Sequence, residues 1–183
     1  MVAGAVLCGG RSTRMGRDKA TTEFRGRPMA RWVADALEGG GCDRVFAVGG
    51  EPIGLSVLGL GTVPDLEPGE GPLGGVIAAL TACGDAEAVV VVGCDTPLLG
   101  AQHVALLIEA LESHPDVDVV VGCTERVQPL FAVWRPRCLV QLGDAFRDGE
   151  RAVHRVLPAV RHIEVAVPPQ AVHNVNTPDD LNG

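Results

Sequence analysis

The sequence predicts an α/β protein of three layers, with helices on both faces of a mostly parallel sheet that carries a small antiparallel part. Three observations predict it. Short apolar runs alternate with amphipathic segments along the chain. The run 88–93, with Val89-Val90-Val91-Val92 at its centre, is apolar on both faces, as a central parallel strand has to be. Beyond residue 117 the strands follow one another with less helix between them, which implies an antiparallel addition.

In chain order, 3–7 reads as a buried strand. The segment 27–37 places Met29, Trp32, Val33, Ala36 and Leu37 at helical spacing, and Gly39-Gly40-Gly41 stops that helix. A second strand follows at 44–48. Residues 53–60 are weakly patterned, as a short helix or a loop, and Thr62-Val63 forms a brief strand before Pro64-Asp65. A helix at 74–82 precedes the central strand 88–93. An amphipathic helix at 101–113 runs through Val104, Leu107, Ile108 and Leu111. Strands at 117–122 and 130–134, helices at 136–146 and 151–157 and a last strand at 161–165 complete the pattern. Thr177 caps a terminal helix, with Pro178 at its first position and Asp179 and Asp180 complementing its dipole.

A chain of 183 residues suits one domain, 1–183, and a hydrophobic fraction of 46% is enough to give it a core. The net charge of −8 argues against a nucleic-acid partner, which needs a basic face. It leaves open a local phosphate site built from backbone N–H groups and a few cations. The longest apolar stretch, 86–93, is far too short to span a bilayer, and no secretory leader is visible. A soluble cytoplasmic protein is therefore expected. The six cysteines show no C-x-x-C pair or other metal spacing, so they read as reduced thiols, with Cys94 and Cys123 as small core residues. His103, His114, His154 and His162 stand singly, which speaks against zinc.

Ligands of such sheets sit at the carboxyl ends of the strands, and the informative residues follow the strands here. After the first strand, Gly9 and Gly10 allow close backbone approach, and Arg11, Arg14, Arg17 and Lys19 surround that turn with cations. Backbone donors with cations suit a triphosphate, although a solvated basic loop has the same composition. Asp65 ends a strand and is followed by Gly69-Glu70-Gly71-Pro72-Leu73-Gly74-Gly75, which opens a helix. An Asp in that position more often serves a turn. Asp95, in Gly93-Cys94-Asp95-Thr96-Pro97, puts a carboxylate at the end of the central apolar strand. That is costly without a cation, and Mg²⁺ is the natural partner. Asn174 and Asn176 lie in a loop before the terminal helix, while Phe131 and Trp134 read as core, and Cys8 as a packing residue.

Together these four blocks resemble the nucleotidyltransferase family that includes molybdenum cofactor guanylyltransferase. The string from Leu7-Cys8-Gly9-Gly10-Arg11 to Arg14-Met15-Gly16-Arg17-Asp18-Lys19 looks like its first signature. Asp65 with Gly71-Pro72-Leu73-Gly74-Gly75, then Cys94-Asp95-Thr96-Pro97, then Asn174-Val175-Asn176-Thr177-Pro178 resemble the other three, in order along nearly the whole chain. The resemblance implies a Rossmann-like three-layer α/β/α nucleotidyltransferase fold and transfer of GMP from GTP to molybdopterin-bound molybdenum, with release of pyrophosphate. It implies that Leu7, Cys8, Gly9, Gly10, Asp65 and Gly71 bind the nucleotide, with Lys19 on its phosphates. Asp95 would bind nucleotide and Mg²⁺, and Asn174 and Asn176 the acceptor. Partners would be GTP, the molybdopterin cofactor, and molybdoenzymes or their chaperones. Cys8 departs from the family's usual Ala, and Gln128 stands where relatives often carry His.

The mechanism expected from phosphoryl-transfer chemistry is in-line attack by an acceptor phosphate on the α-phosphorus. A phosphate monoester is already anionic, so catalysis rests on positioning and on charge neutralisation by Arg14, Lys19 and the metal at Asp95. Two other readings remain. One is a related transferase with another base or acceptor, such as CTP with the cofactor, or a sugar phosphate. The other is a non-catalytic nucleotide-binding protein of the same fold.

Overall fold

In the computed structural model, which describes residues 1–9, 19–177 and 180, strand β1 (Val2–Leu7) runs through the middle of a seven-stranded sheet. A small hairpin of β2 (Glu23–Phe24) and β3 (Arg27–Pro28) leads into helix α1 (Met29–Gly39). Strand β4 (Arg44–Val48), helix α2 (Pro52–Val57), strand β5 (Gly61–Val63), helix α3 (Pro72–Thr81) and strand β6 (Ala88–Gly93) follow. Then come α4 (Ala101–Ser113), β7 (Val119–Cys123), β8 (Val127–Trp134), α5 (Leu139–Arg147), α6 (Val153–Val156) and β9 (His162–Ala166).

The strand order is β5-β4-β1-β6-β8-β7-β9. Strand β8 runs antiparallel to β6 and β7, and the other pairings are parallel. The reversal follows from the connection. Only Thr124, Glu125 and Arg126 separate β7 from β8, and the Thr124 N–H donates to the Arg126 carbonyl at 3.0 Å. A link that short makes a hairpin; a parallel return needs a dozen residues or more.

Period-two alternation divides the core between the two faces of the sheet. Val6, Val90 and Val92 pack with Val33 and Leu37 of α1 and Leu107 of α4. Leu7, Val89 and Val91 pack on the other face with Ile77 and Leu80 of α3, Leu142 of α5 and Trp134. Every residue of β6 is buried, as its unbroken apolar run predicts. Trp134 is 0% exposed and Phe131 2%, so both are core residues, and truncating the former to Ala would cost about 3–5 kcal/mol.

The differences from the sequence reading are local. Helix α1 starts at Met29 rather than Arg27, because Arg27 and Pro28 pair with Phe24 and Glu23. The Trp32 indole N–H secures that hairpin by donating to the Phe24 carbonyl at 2.9 Å. Residues 53–60 resolve into a helix from Pro52, capped by the Glu51 carboxylate, which accepts from the Ile53 and Gly54 N–H groups. Strand β7 starts two residues later than expected; just before it the Asp118 backbone still bonds to both neighbours, accepting from the Arg135 N–H and donating to the Arg161 carbonyl, while its carboxylate pairs with Arg137 and Arg161. A 3₁₀ turn, Pro136–Cys138, precedes α5. Cys123 is half-buried rather than core, since it sits at the end of β7, whereas Cys94 is buried. The helix expected from Thr177 lies largely outside the described residues; within them the Asp180 N–H donates to the Thr177 carbonyl at 3.2 Å.

Candidate functional site

Three strand ends converge at the centre of the sheet. The Cys8 and Gly9 N–H groups both donate to the Val48 carbonyl, at 2.8 and 3.1 Å. The Gly49 N–H donates to the Val63 carbonyl at 2.8 Å, and the Cys94 N–H to the Leu7 carbonyl at 3.0 Å. These bonds extend the ladders past the strands and fix where the next residues emerge. They carry Gly9, Asp65 and Asp95 to one place, the carboxyl-end crevice where α/β sheets bind ligands.

Leu7, Cys8, Gly9, Lys19, Asp65, Gly71 and Asp95 all line one cavity of about 380 Å³. Gly10 and Arg14, the other expected ligand residues of the first loop, lie outside the described residues. A second cavity of about 550 Å³, walled by Gly49, Glu51 and Pro64, shares Cys8, Gly9 and Asp65 with the first.

Asp65 sits between two glycines. A Cβ on Gly9 would lie 2.9 Å from Asp65 Oδ2, and one on Gly74 3.1 Å from Oδ1. Neither position has room for a side chain unless the carboxylate moves. Oδ1 is buried without a hydrogen-bond partner among the described residues. A carboxylate oxygen left in that state costs free energy, and a hydrogen-bond donor is the group that would offset the cost. Next to it, Gly71 takes φ +111°, a backbone conformation that side chains disfavour, and delivers Pro72 to the first position of α3.

The opposite wall is charged. Lys19 Nζ lies 3.3 Å from Asp95 Oδ2, each side chain about a quarter exposed, and also donates to Asn176 Oδ1 at 2.5 Å. The Val175 N–H donates to the Asp95 carbonyl at 2.8 Å, which ties the C-terminal segment to the end of β6. Val175 itself is 1% exposed, packed with Phe24 and Met29. Asp180 shapes the turn: its Oδ2 accepts from the N–H groups of Asn176 and Thr177, at 2.9 and 2.8 Å. Those donors hold its carboxyl below the usual range. The structure thus brings Asn176 to the cation and leaves Asn174 exposed on the far side of the Val175 anchor.

Two features at or beside the site escaped the sequence reading. Leu130, midway along the reversed strand β8, borders the first cavity. Arg151 braces the glycine loop: its carbonyl accepts from the Leu73 N–H at 3.1 Å and its guanidinium pairs with Glu67 at 3.1 Å. The same guanidinium stacks over the Phe146 ring at 4.0 Å. Arg151 opens the segment 151–157 expected as a helix, but it lies ahead of the shorter α6, and the packing of α5 against α3 helps to make it a neighbour of Gly71.

Among the described residues no group of three or more His, Cys, Asp or Glu is assembled to hold a metal. No helix among them is long and apolar enough to cross a membrane.

The family model described as the MobA-like NTP transferase domain matches residues 4–174. The chain belongs to the MobA-like NTP transferase family. A relative from Pelotomaculum thermopropionicum named "probable molybdenum cofactor guanylyltransferase" is 38% identical, with 97% of this chain and 89% of that protein covered. The molybdenum cofactor guanylyltransferase of Rhizobium johnstonii is 35% identical, covering 98% and 90%. The crystal structure of molybdopterin-guanine dinucleotide biosynthesis protein A from Archaeoglobus fulgidus shares the fold with a TM-score of 0.80 at 23% identity, over 98% of this chain and 95% of that one. The Rossmann-like nucleotidyltransferase fold expected from the sequence is therefore borne out.

Proposed function

We propose that this chain transfers GMP from GTP to the molybdopterin-bound molybdenum cofactor and releases pyrophosphate. The names of its full-length relatives support the reading. The observation that carries it is the single cavity in which Asp65 faces Lys19 and Asp95. An acceptor-only carboxylate repels phosphate and invites donors, so the nucleoside half, with the N–H groups of guanine, belongs at Asp65. The ammonium of Lys19 marks the phosphate end. Asn176, on the same ammonium, faces the acceptor side.

Mg²⁺ fits these residues. It takes one or two carboxylates and completes its shell with substrate phosphates and water, so an assembled protein cage is not required. Asp95 would hold it, and the ion would neutralise charge on the phosphates. Lys19 orients the triphosphate and offsets charge as pyrophosphate departs, with Arg14 assisting from the first loop. Gly9 and Gly74 leave room for the Asp65 carboxylate that would accept from the nucleoside. The six cysteines, none of them in a disulfide, fit a reducing compartment, the cytoplasm, where the product would pass to molybdoenzymes or their chaperones.

A panel of GTP, CTP, UTP and ATP with Mg²⁺ and molybdopterin cofactor, read by pyrophosphate release, tests this. GTP should give the fastest turnover. Turnover with CTP above that with GTP, or none with any nucleotide, would overturn it.

A further inference from the structure

Leu7 and Gly93 are the last partners in the parallel ladder between β1 and β6. One step on, Cys8 lies beside Cys94, and the ladder persists there because the Cys94 N–H donates to the Leu7 carbonyl at 3.0 Å. Neighbouring strands run about 4.7–4.9 Å apart, inside the Cα–Cα range of about 4.4–6.8 Å that a disulfide spans. Alternation sets the faces: Val6 and Cys8 of one strand and Val92 and Cys94 of the other belong to the same apolar layer. Both thiols therefore project from the same side of the sheet. They are 7% and 6% exposed, yet both border the first cavity, and Cys8 borders the second as well. Neither is in a disulfide.

We propose that Cys8 and Cys94 form an oxidisable dithiol in the floor of the cavity, closed to a disulfide by hydrogen peroxide that enters when no nucleotide fills the space. The Cys8 sulfur attacks one peroxide oxygen, the O–O bond breaks, and Cys8 becomes a sulfenic acid with loss of one water. The Cys94 sulfur attacks the Cys8 sulfur, the S–O bond breaks, and the hydroxyl leaves with the Cys94 proton as a second water. Two thiols are oxidised and one peroxide is reduced. The new bond joins the residue before Gly9 to the residue before Asp95, so it clamps two walls of the site. A dithiol reductant opens it again. Cys42 and Cys138 are placed differently: neither borders these cavities, and burial pushes both thiols up to about 12. They stay reduced under the same exposure.

The consequence for nucleotide uptake rests on the function proposed above; the linkage does not. The test is peroxide titration of the purified full chain, alkylation of remaining thiols after denaturation, and peptide mass spectrometry, with and without GTP and Mg²⁺. The expected product is a linked peptide pair containing Cys8 and Cys94, two hydrogens lighter, formed before Cys42 or Cys138 reacts and reversed by dithiothreitol. GTP at ten times its Kd should slow linkage about tenfold by occupying the cavity. Separate sulfinic acids on Cys8 and Cys94 without a link, or earlier linkage of other cysteines, would overturn the proposal. Linkage in a protein that takes up no nucleotide even when reduced would overturn the functional reading and leave the dithiol standing.

Discussion

Lys19 and Asn176 are 157 positions apart in the chain, and the ammonium of one donates to the amide oxygen of the other. That contact joins the end of the first loop to the C-terminal segment directly over Asp95, so cation, carboxylate and amide form one cluster.

Lys19→Ala should lower kcat/KM by about 10²–10³, the loss expected when a preorganised charge at a developing anion is removed. Melting temperature should barely move, because a partly exposed pair such as Lys19–Asp95 contributes about 0–1 kcal/mol. Pyrophosphate release with GTP measures the first quantity and thermal unfolding the second. Wild-type turnover in the folded variant would remove Lys19 from the reaction.

Gly9→Ala should weaken nucleotide binding more than it weakens the fold. The added methyl would stand 2.9 Å from Asp65 Oδ2 and push the carboxylate from its place. Asp65→Asn should raise KM for GTP as well, since it replaces a pure acceptor with a group that is half donor. The two effects should fall short of additive, because both act on one carboxylate. A double-mutant cycle on Kd for GTP checks this.

Arg151→Lys should raise KM for GTP several-fold while kcat changes less. A lysine can keep the charge opposite Glu67 but cannot stack over Phe146 while holding the other contacts of the guanidinium. Steady-state kinetics at varied GTP separates the two parameters. Equal losses in kcat and kcat/KM would show instead that Arg151 acts on the transition state.

Acid should destabilise the protein through Asp118 and Asp180. Burial acts to raise the Asp118 carboxyl, but hydrogen bonds from Arg161 and Arg137 outweigh it and hold the group below its ordinary value. Asp180 is lowered by the Asn176 and Thr177 N–H groups. A depressed carboxyl stabilises the fold at pH values above its unfolded value of about 3.9 and loses that contribution as pH falls through the lower, folded value. Melting temperature should therefore drop steeply below about pH 4, and Asp118→Asn should shallow the drop while lowering stability at pH 7 by roughly 1–2 kcal/mol. Thermal unfolding across pH 2.5–7 gives both curves.

Much of the fold was legible because its strongest signals are local. The unbroken valines of 89–92 define the central strand, and the spacing of Val104, Leu107, Ile108 and Leu111 defines α4. The β2–β3 hairpin was not legible, since two-residue strands have no period to detect. At the site, Asp65 and Asp95 could be found because each lies two residues beyond the end of a strand. Asn176 was reachable only through its family resemblance, and Arg151 through neither route. Its role depends on which helix packs on which, and that choice is made by the whole core.

Because β1 is flanked by β4 and β6, its hydrogen bonds on one side have to wait for residues 44–48 and on the other for 88–93. During synthesis β1 leaves the ribosome before either neighbour, and no strand pairing can shield its apolar residues until they emerge. The β7–β8 hairpin, in contrast, can close as soon as it is made. A slow stretch of translation before residue 93 would prolong exposure of the segment that leads into the Gly9 loop. Yield of active protein in cells should accordingly depend on chaperone supply more than the stability of the finished fold would suggest.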